Sequence, residues 1–211
     1  MKKSAIIFIA LVVIVMVVVF ILNNAPKSST YIKDPYTLFY EGADRHFRAN
    51  LYEANKTPVY PNESAIENVL LNSDIYKIYI AYIPNDKENS YYLAASFELT
   101  NKLSIIYRHY IPANVSTFKD LDNSTCLLFQ EYQRAICFLS FPINSTSELT
   151  PTPAEPVILL LGPSQATKTA VTVSNNLITI EGKDVTQVDR NYNDLDMAVD
   201  KVLFYLMTLE D

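Results

Sequence analysis

The hydrophobic pattern begins with one long apolar run. Eighteen consecutive apolar or small residues extend from Ala5 to Leu22. As a helix this run is about 27 Å long, near the thickness of a bilayer core. The end of the run and the residues that follow it, Phe20 to Pro26, lack the small-x-small site at which a signal peptide is cleaved. We therefore predict an uncleaved transmembrane signal-anchor over residues 5–22.

The charges beside this run predict its orientation. Lys2 and Lys3 precede it, and positive charge is retained on the cytoplasmic side of a membrane. The expected arrangement is a cytoplasmic tip over residues 1–4, a polar stalk over residues 23–33 and an extracytoplasmic remainder. No later segment is long and apolar enough to span again, so we expect a single-pass protein of the cell membrane whose C-terminus lies outside.

Residues 34–141 carry the patterns of a main α/β domain. Ile75 to Ile83 is apolar on both alternating faces, as in a strand that is covered on both sides of a sheet. Residues 89–110 carry an apolar stripe at helical spacing, with Glu98 and Lys102 one turn apart on the opposite face. A strand followed closely by a long helix predicts an α/β (or α+β) fold, with helices packed on a mixed sheet.

Four further segments of this domain have weaker patterns. Asp34-Pro35 is typical of a helix start, with aspartate as N-cap and proline in the first turn. Residues 44–53 fit either a helix or a strand. Val59-Tyr60 lies between prolines, which favours a short edge strand. Residues 61–71 predict a short helix with the capping-box spacing Ser64-x-x-Glu67.

The two cysteines, Cys126 and Cys137, enclose the segment LLFQEYQRAI. On a helix they would lie about 16 Å apart, which is beyond disulfide reach. In a hairpin that turns at Glu131-Tyr132 they lie opposite each other, and Leu127 lies opposite Ile136. We predict this hairpin, closed by a disulfide that stabilises the fold by roughly 3 kcal/mol in an oxidising exterior. Two buried free thiols are the alternative.

A proline-rich stretch over residues 142–156 predicts a linker or long exposed loop. It is followed by a C-terminal unit over residues 157–211 with the pattern strand, hairpin, helix, which we expect to pack on the same sheet. Asn175-Asn176 suits a two-residue type I′ turn, because asparagine tolerates positive φ. That turn pairs Val173 with Ile178.

The last helix is expected to begin where Asn193 or Asp194 can act as its N-cap. An apolar stripe starts at Leu195, and Asp196 and Asp200 lie opposite that stripe. This pattern predicts a helix that covers one face of the sheet.

The stretch GPSQATKT, residues 162–169, is one residue away from the phosphate-binding loop G-x-x-x-x-G-K-[ST]. Thr167 stands where that loop requires glycine. Strand material follows it, so no helix N-terminus is available to meet an anion. We predict a structural turn between a buried strand and the Asn-Asn hairpin, and no nucleotide partner.

The same region carries a resemblance. The segment PVILLLGPSQATKTAVTVSNNLITIEGKD, together with MAVDKVLFYLM, resembles the C-terminal part of uncharacterised archaeal membrane-anchored cell-surface proteins, and it is similar to segments of archaeal surface-layer-type proteins. The resemblance covers the last quarter of the chain. It implies an extracytoplasmic location and no particular mechanism.

Composition narrows the class of partner. The net charge is −6, which argues against nucleic acid and anionic lipid, since both attract basic patches. Fifteen tyrosines supply large apolar area with a polar tip, which suits an exposed binding surface, although Tyr79 and Tyr82 fall on the interior strand. Four Asn-x-Ser/Thr sequons predict candidates for N-glycosylation. They are Asn62, Asn114, Asn123 and Asn144.

Chemistry-bearing patterns are sparse. His46 and His109 each follow an arginine and have no partner at zinc-ligand spacing. Asp120-Leu-Asp122-Asn123 is the richest oxygen cluster, but it lacks the glycine-containing calcium loop. The sequence therefore predicts no catalytic residue, no cofactor and no metal site.

These observations lead to one expectation and two alternatives. We expect a non-enzymatic, membrane-anchored extracytoplasmic protein that binds or scaffolds a protein or glycan of the cell envelope. The first alternative is an extracytoplasmic ligand-binding or sensory module with a small pocket at the strand ends. The second is an anchored hydrolase of glycans or peptides, which converging carboxylates in a pocket would favour.

Overall fold

The computed structural model describes residues 30–111, 113–184 and 193–209. The predicted signal-anchor over residues 5–22 and the tip over residues 1–4 lie outside these ranges. Within them, no helix combines the length and the apolar character that crossing a membrane requires.

The first described segment folds as a three-stranded antiparallel meander. Its strands are β1 (Tyr31–Asp34), β2 (Thr37–Tyr40) and β3 (Ala43–His46). The predicted helix start at Asp34-Pro35 is wrong, because the Asp34 carboxylate accepts the Tyr36 N–H at 2.9 Å and closes a turn between two strands. The next turn uses Glu41 and Gly42, both with positive φ, as a hairpin requires. The ambiguous segment 44–53 contains the end of β3 and the start of a short helix.

A mixed eight-stranded sheet and four α-helices make up most of the other described residues. The strand order is β4-β10-β11-β9-β5-β8-β7-β6, and β5, β8, β9 and β11 run parallel. The strands are β4 (Val59–Tyr60), β5 (Lys77–Tyr82), β6 (Val115–Lys119), β7 (Thr125–Phe129), β8 (Arg134–Pro142), β9 (Val157–Leu161), β10 (Ala170–Ser174) and β11 (Leu177–Glu181). The helices are α1 (Leu51–Ala54), α2 (Ser64–Leu70), α3 (Asn89–Tyr110) and α4 (Asp194–Met207).

Local sequence signals explain most of these elements. The interior position of β5, the edge position of β4 and the long helix α3 are confirmed. The placement of Lys102 on the polar face of α3 is wrong, because this lysine is buried. The turn between β10 and β11 has positive φ at Asn175 and Asn176, and it pairs Val173 with Ile178 as predicted. The helix α2 is also confirmed, but its capping box is wrong. Its first turn is held instead by the Asn62 side chain, which accepts the Ala65 N–H at 3.2 Å.

The helices cover one face of the sheet and bury the main core against it. Ile78 and Ile80 of β5 lie in this core, together with side chains of α2, α3 and α4. A smaller core lies on the other face, where Ile143 and Leu149 pack with residues of β5 and β9. Since successive strand residues face opposite sides, β5 contributes to both cores, as its continuous apolar pattern requires.

The proline-rich stretch over residues 142–156 connects the parallel strands β8 and β9. It begins at the carboxyl end of β8, beside the end of β5, where the Ile143 N–H donates to the Tyr82 carbonyl at 2.9 Å. It returns to the amino end, where the Ala154 carbonyl accepts the Tyr76 N–H at 3.1 Å. The stretch thus crosses the sheet face opposite the helices, and β9 enters the sheet between β5 and β11.

The N-terminus of α4 is capped as predicted, but its polar residues are placed differently. Asn193 and Asp196 form a reciprocal capping box. Asp196 and Asp200 are buried, at 2% and 0% exposure, so their assignment to a face away from the packed stripe is wrong. The reason is that the segment preceding α1 packs on this side of α4, and Asp200 accepts the Ala49 N–H at 2.6 Å.

Candidate functional site

The predicted cysteine hairpin is present in β7 and β8. Cys126 pairs with Cys137 and Leu127 pairs with Ile136, which is the predicted register. The two Sγ atoms form a disulfide, and both cysteines are buried. Asp120 lies within 4.8 Å of the two Sγ atoms, a grouping that resembles a metal site. With both sulfurs joined to each other, no thiolate is available there as a ligand.

The four sequon asparagines share one environment. Each is exposed, and each lies in a connection outside the helices and strands. Asn114 directly precedes the edge strand β6, and Asn123 lies in the turn that follows it, with φ 60°. Exposed loops are where an acceptor asparagine must lie to be modified.

Ligands of α/β proteins usually bind at the carboxyl ends of parallel strands. We call the corresponding edge of this sheet, at the ends of β5, β8, β9 and β11, the carboxyl edge. The GPSQATKT stretch lies here, and it leads into strand β10 with no helix between. The backbone N–H of Ser164 donates to the Glu88 carboxylate at 2.8 Å, so an acidic group of the chain itself takes the position that an anion would need.

Glu88 and Tyr92 close this edge. The Tyr92 hydroxyl donates to Glu88 at 2.8 Å and accepts the Gly162 N–H at 3.0 Å. The Ser164 hydroxyl donates to the same Glu88 oxygen as Tyr92, at 2.9 Å, and the Ser164 N–H donates to the other oxygen. Burial, reinforced by the Glu88 carboxylate, raises the pKa of Tyr92 far above its usual value, so the phenol remains a donor. Hydrogen bonds within the chain therefore occupy the backbone of the GPSQATKT stretch and close this edge to a ligand.

A pocket of about 220 Å³ lies at the opposite edge of the sheet. We call it the amino-edge pocket, since it lies where β5 and β8 begin and where α3 ends. Its wall combines the turn after α2, the last helical turn of α3 and the first residue of β8. The lining residues are Leu71, Asn72, Ser73, Tyr107, Tyr110, Ile111 and Arg134. The described lining contains one guanidinium and no carboxylate, which gives the pocket a positive character in an acidic chain.

The polar groups of this pocket are held by the backbone around it. Arg134 donates from one Nη atom to the Ile75 carbonyl at 2.5 Å. The Tyr107 hydroxyl donates to the Leu70 carbonyl, and burial raises the pKa of this tyrosine above its usual range. The Tyr107 phenol therefore stays neutral, and the arginine is the charged group of the pocket.

A second polar cluster lies within the helical layer, next to α4. Arg48 donates to Asp196 at 2.8 Å, which ties the chain before α1 to the start of α4. Deeper in, Lys102 and Asp200 are buried, at 5% and 0% exposure. Burial raises the pKa of Asp200 to about 7, against the opposing effect of Lys102. Burial lowers the pKa of Lys102 to about 8, against the opposing effect of Asp200.

The histidines play local structural roles. His46 lies on the exposed strand β3, where its Nδ1 is 3.0 Å from the Thr37 hydroxyl. His109 is half-buried at the end of α3, where its Nδ1 is 2.7 Å from a Glu41 oxygen and its ring packs edge-on against Tyr40. His46 thus links two strands of the meander, and His109 links the meander to α3.

A small pocket at the strand ends was one of the alternatives, but neither its lining residues nor the Glu88 network could be identified from the sequence. The pocket combines residues from three distant segments, and Glu88 meets Ser164 across 76 positions of sequence. One signal was present, because Glu88 directly precedes α3 and Tyr92 lies one helical turn later.

Comparison with protein-family models, with curated proteins and with solved structures finds no match to this chain.

Proposed function

We propose that this is a single-pass, membrane-anchored extracytoplasmic protein that binds or scaffolds, without catalysis, in the cell envelope. The observation that carries the location is the buried Cys126–Cys137 disulfide between β7 and β8. Disulfides persist in oxidising compartments and are rare in a reducing cytoplasm. The apolar run over residues 5–22 supplies the proposed anchor.

Two further observations support the same location. The four sequon asparagines are all exposed on connections, where an extracytoplasmic modification machinery has access. The resemblance of the C-terminal quarter to archaeal membrane-anchored surface proteins implies the same compartment.

The location is tested on the full chain recovered from its membrane. Intact mass should rise by two hydrogen atoms on reduction, and external protease should remove the described domain from intact cells. Replacing Asn62, Asn114, Asn123 or Asn144 singly by Gln should remove one glycan mass wherever that sequon is used. A cysteine pair that is reduced in the cell, together with a protease-protected domain, would contradict the proposal.

The disulfide also gives a stability prediction. The double variant Cys126→Ser, Cys137→Ser should lose about 3 kcal/mol of unfolding free energy, because a short loop in the unfolded chain is no longer closed. Urea unfolding of both proteins measures the difference. Cys126→Ser alone is the matched control, and it should lose about as much as the pair. Equal stability of oxidised and reduced wild type would show that the bond does not support the fold.

A second candidate function, an extracytoplasmic ligand-binding or sensory module, is favoured by the amino-edge pocket. The pocket lies at strand ends, and it combines aromatic walls with a positive group. Its described lining contains no pair of carboxylates of the kind that hydrolysis of glycans uses. Binding without turnover is the activity that these side chains support best.

A further inference from the structure

We propose that the amino-edge pocket binds a small monocarboxylate with an apolar or aromatic body. The inference names the ligand class of the second candidate function and rests on it. The carboxylate pairs with Arg134, and the body lies against the tyrosines of α3. Three properties of the pocket support this ligand class: its volume, its charge and the hydrogen bonds that its polar groups already make.

Arg134 supplies the anchor. A guanidinium has five N–H donors, and the described contacts commit one of its nitrogens, to the Ile75 carbonyl at 2.5 Å. That bond fixes the position of the group and leaves donors for a planar, two-oxygen partner. A carboxylate has the matching geometry. The Asn72 amide lines the same pocket; its oxygen accepts the Asp74 N–H at 2.9 Å, and its nitrogen has no acceptor among the described residues.

The walls supply a surface for an apolar body. The hydroxyls of Tyr107 and Tyr110 are directed to the carbonyls of Leu70 and Leu206. These tyrosines therefore offer the pocket their ring surface, and Ile111 completes the apolar side. Aromatic rings favour a flat or aromatic partner over a fully polar one.

Size and charge limit the ligand further. A volume of about 220 Å³ equals roughly seven water volumes, which suits a molecule of about ten non-hydrogen atoms. One guanidinium neutralises one negative charge. A phosphate dianion or a dicarboxylate would leave its second charge without a cation in the described lining, in a chain whose net charge is −6.

The test uses the purified full chain in detergent micelles, titrated with 3-phenylpropionate and followed by NMR or calorimetry. The uncharged amide, 3-phenylpropionamide, is the matched probe of equal size. We expect the carboxylate to bind at least tenfold more tightly than the amide, because a charge-assisted hydrogen bond is worth about 1.5–3 kcal/mol. Equal affinities, or no saturable binding of the carboxylate up to its solubility limit, would overturn the inference.

Variants assign the binding to the pocket. Arg134→Gln should weaken binding of the carboxylate about tenfold or more and leave binding of the amide unchanged. The control is Arg108→Gln, which removes the same charge from the exposed end of α3 without altering the lining, and should keep wild-type affinity. Loss of affinity in the control to the same extent would mean that general charge attraction is being measured, which would overturn the assignment.

A second variant keeps the test valid if Arg134→Gln fails to fold. Ser73 is exposed at the rim, so Ser73→Trp should block the pocket and abolish binding while Arg134 stays in place. Retained affinity in this variant would place the ligand elsewhere and overturn the proposal. Micelle binding does not depend on topology, so a protease-protected domain would defeat the proposed location and leave this result standing.

Discussion

The two edges of the central sheet have opposite properties. At the carboxyl edge, Glu88 and Tyr92 bind the backbone of the loop after β9, and the usual ligand position of an α/β sheet is filled by the chain itself. At the amino edge, a guanidinium and two aromatic rings surround an open pocket. The difference shows that strand direction alone does not locate a site. Which edge is open depends on where the connecting segments place their polar groups.

The largest expected effect lies at the closed edge, in the variant Gly182→Ala. An added Cβ would lie 2.1 Å from the Leu195 backbone nitrogen, so the start of α4 would have to move away from the end of β11. We expect a loss of about 3 kcal/mol or more in unfolding free energy, measured by urea denaturation. Ser73→Ala at the open edge is the control and should change stability by less than about 0.5 kcal/mol. Similar values for the two variants would contradict the contrast between the edges.

A pair of tyrosine variants compares the edges with the same chemical change. Tyr92→Phe removes the acceptor of the buried Gly162 N–H and the donor to Glu88, and it should cost about 2 kcal/mol. Tyr76→Phe, at the amino edge, removes the hydrogen bond of an exposed tyrosine to Glu155 and should cost less than about 0.5 kcal/mol. Thermal unfolding of both variants decides the matter. The reverse order of effects would mean that the open edge is the more tightly bonded one.

The smallest effect depends on pH and arises in α4, which runs between the two edges. Burial raises the pKa of Asp200 to about 7, so the folded protein holds a proton here that the unfolded chain releases near pH 4. The stability that this proton provides is present below about pH 4 and is lost as the pH rises through 7. Lys102 of α3 opposes the shift, and Asp196 of α4 adds to it.

The variant Asp200→Asn tests this directly. Its unfolding free energy, compared with wild type at each pH, should become relatively more favourable between pH 4 and 7, by an amount on the order of 1 kcal/mol or more. The introduced amide retains an oxygen for the Ala49 N–H, so the hydrogen bond is preserved. Asp86→Asn, at an exposed residue, is the control. A difference from wild type that does not vary with pH would contradict the raised pKa.

The sequence was sufficient at most places where structure depends on neighbours in the chain. Asn175-Asn176 determined a hairpin register, the two cysteines determined another, and α3 followed from one uninterrupted stripe. The same local reasoning was wrong at Asp34, because an aspartate before proline closes a strand turn through the same side-chain hydrogen bond that would cap a helix.

Prediction was not possible where distant segments meet. Asp200 was assigned to a polar face from its position on the helix, yet it is buried and accepts the N–H of Ala49, 151 positions earlier. The amino-edge pocket likewise requires Ser73, Tyr107 and Arg134 to lie close together. The hydrophobic periodicity of the sequence does not predict that these distant residues meet. Disulfide pairing was predictable at Cys126 for the opposite reason, since its partner lies across one short turn.

The position of β9 has a consequence for the order in which the protein folds during synthesis. β9 joins β5 to β11, so it connects the half of the sheet that contains β6, β7 and β8 to the half that contains β4 and β10. Until Val157–Leu161 has been made, β5 presents an unpaired edge, and nascent sheet edges promote association between chains. The preceding segment, residues 142–156, then has to cross one face of the sheet before that edge is covered. Assembly of the sheet is therefore completed late, and we expect a chain stopped before residue 157 to aggregate rather than accumulate as a folded fragment.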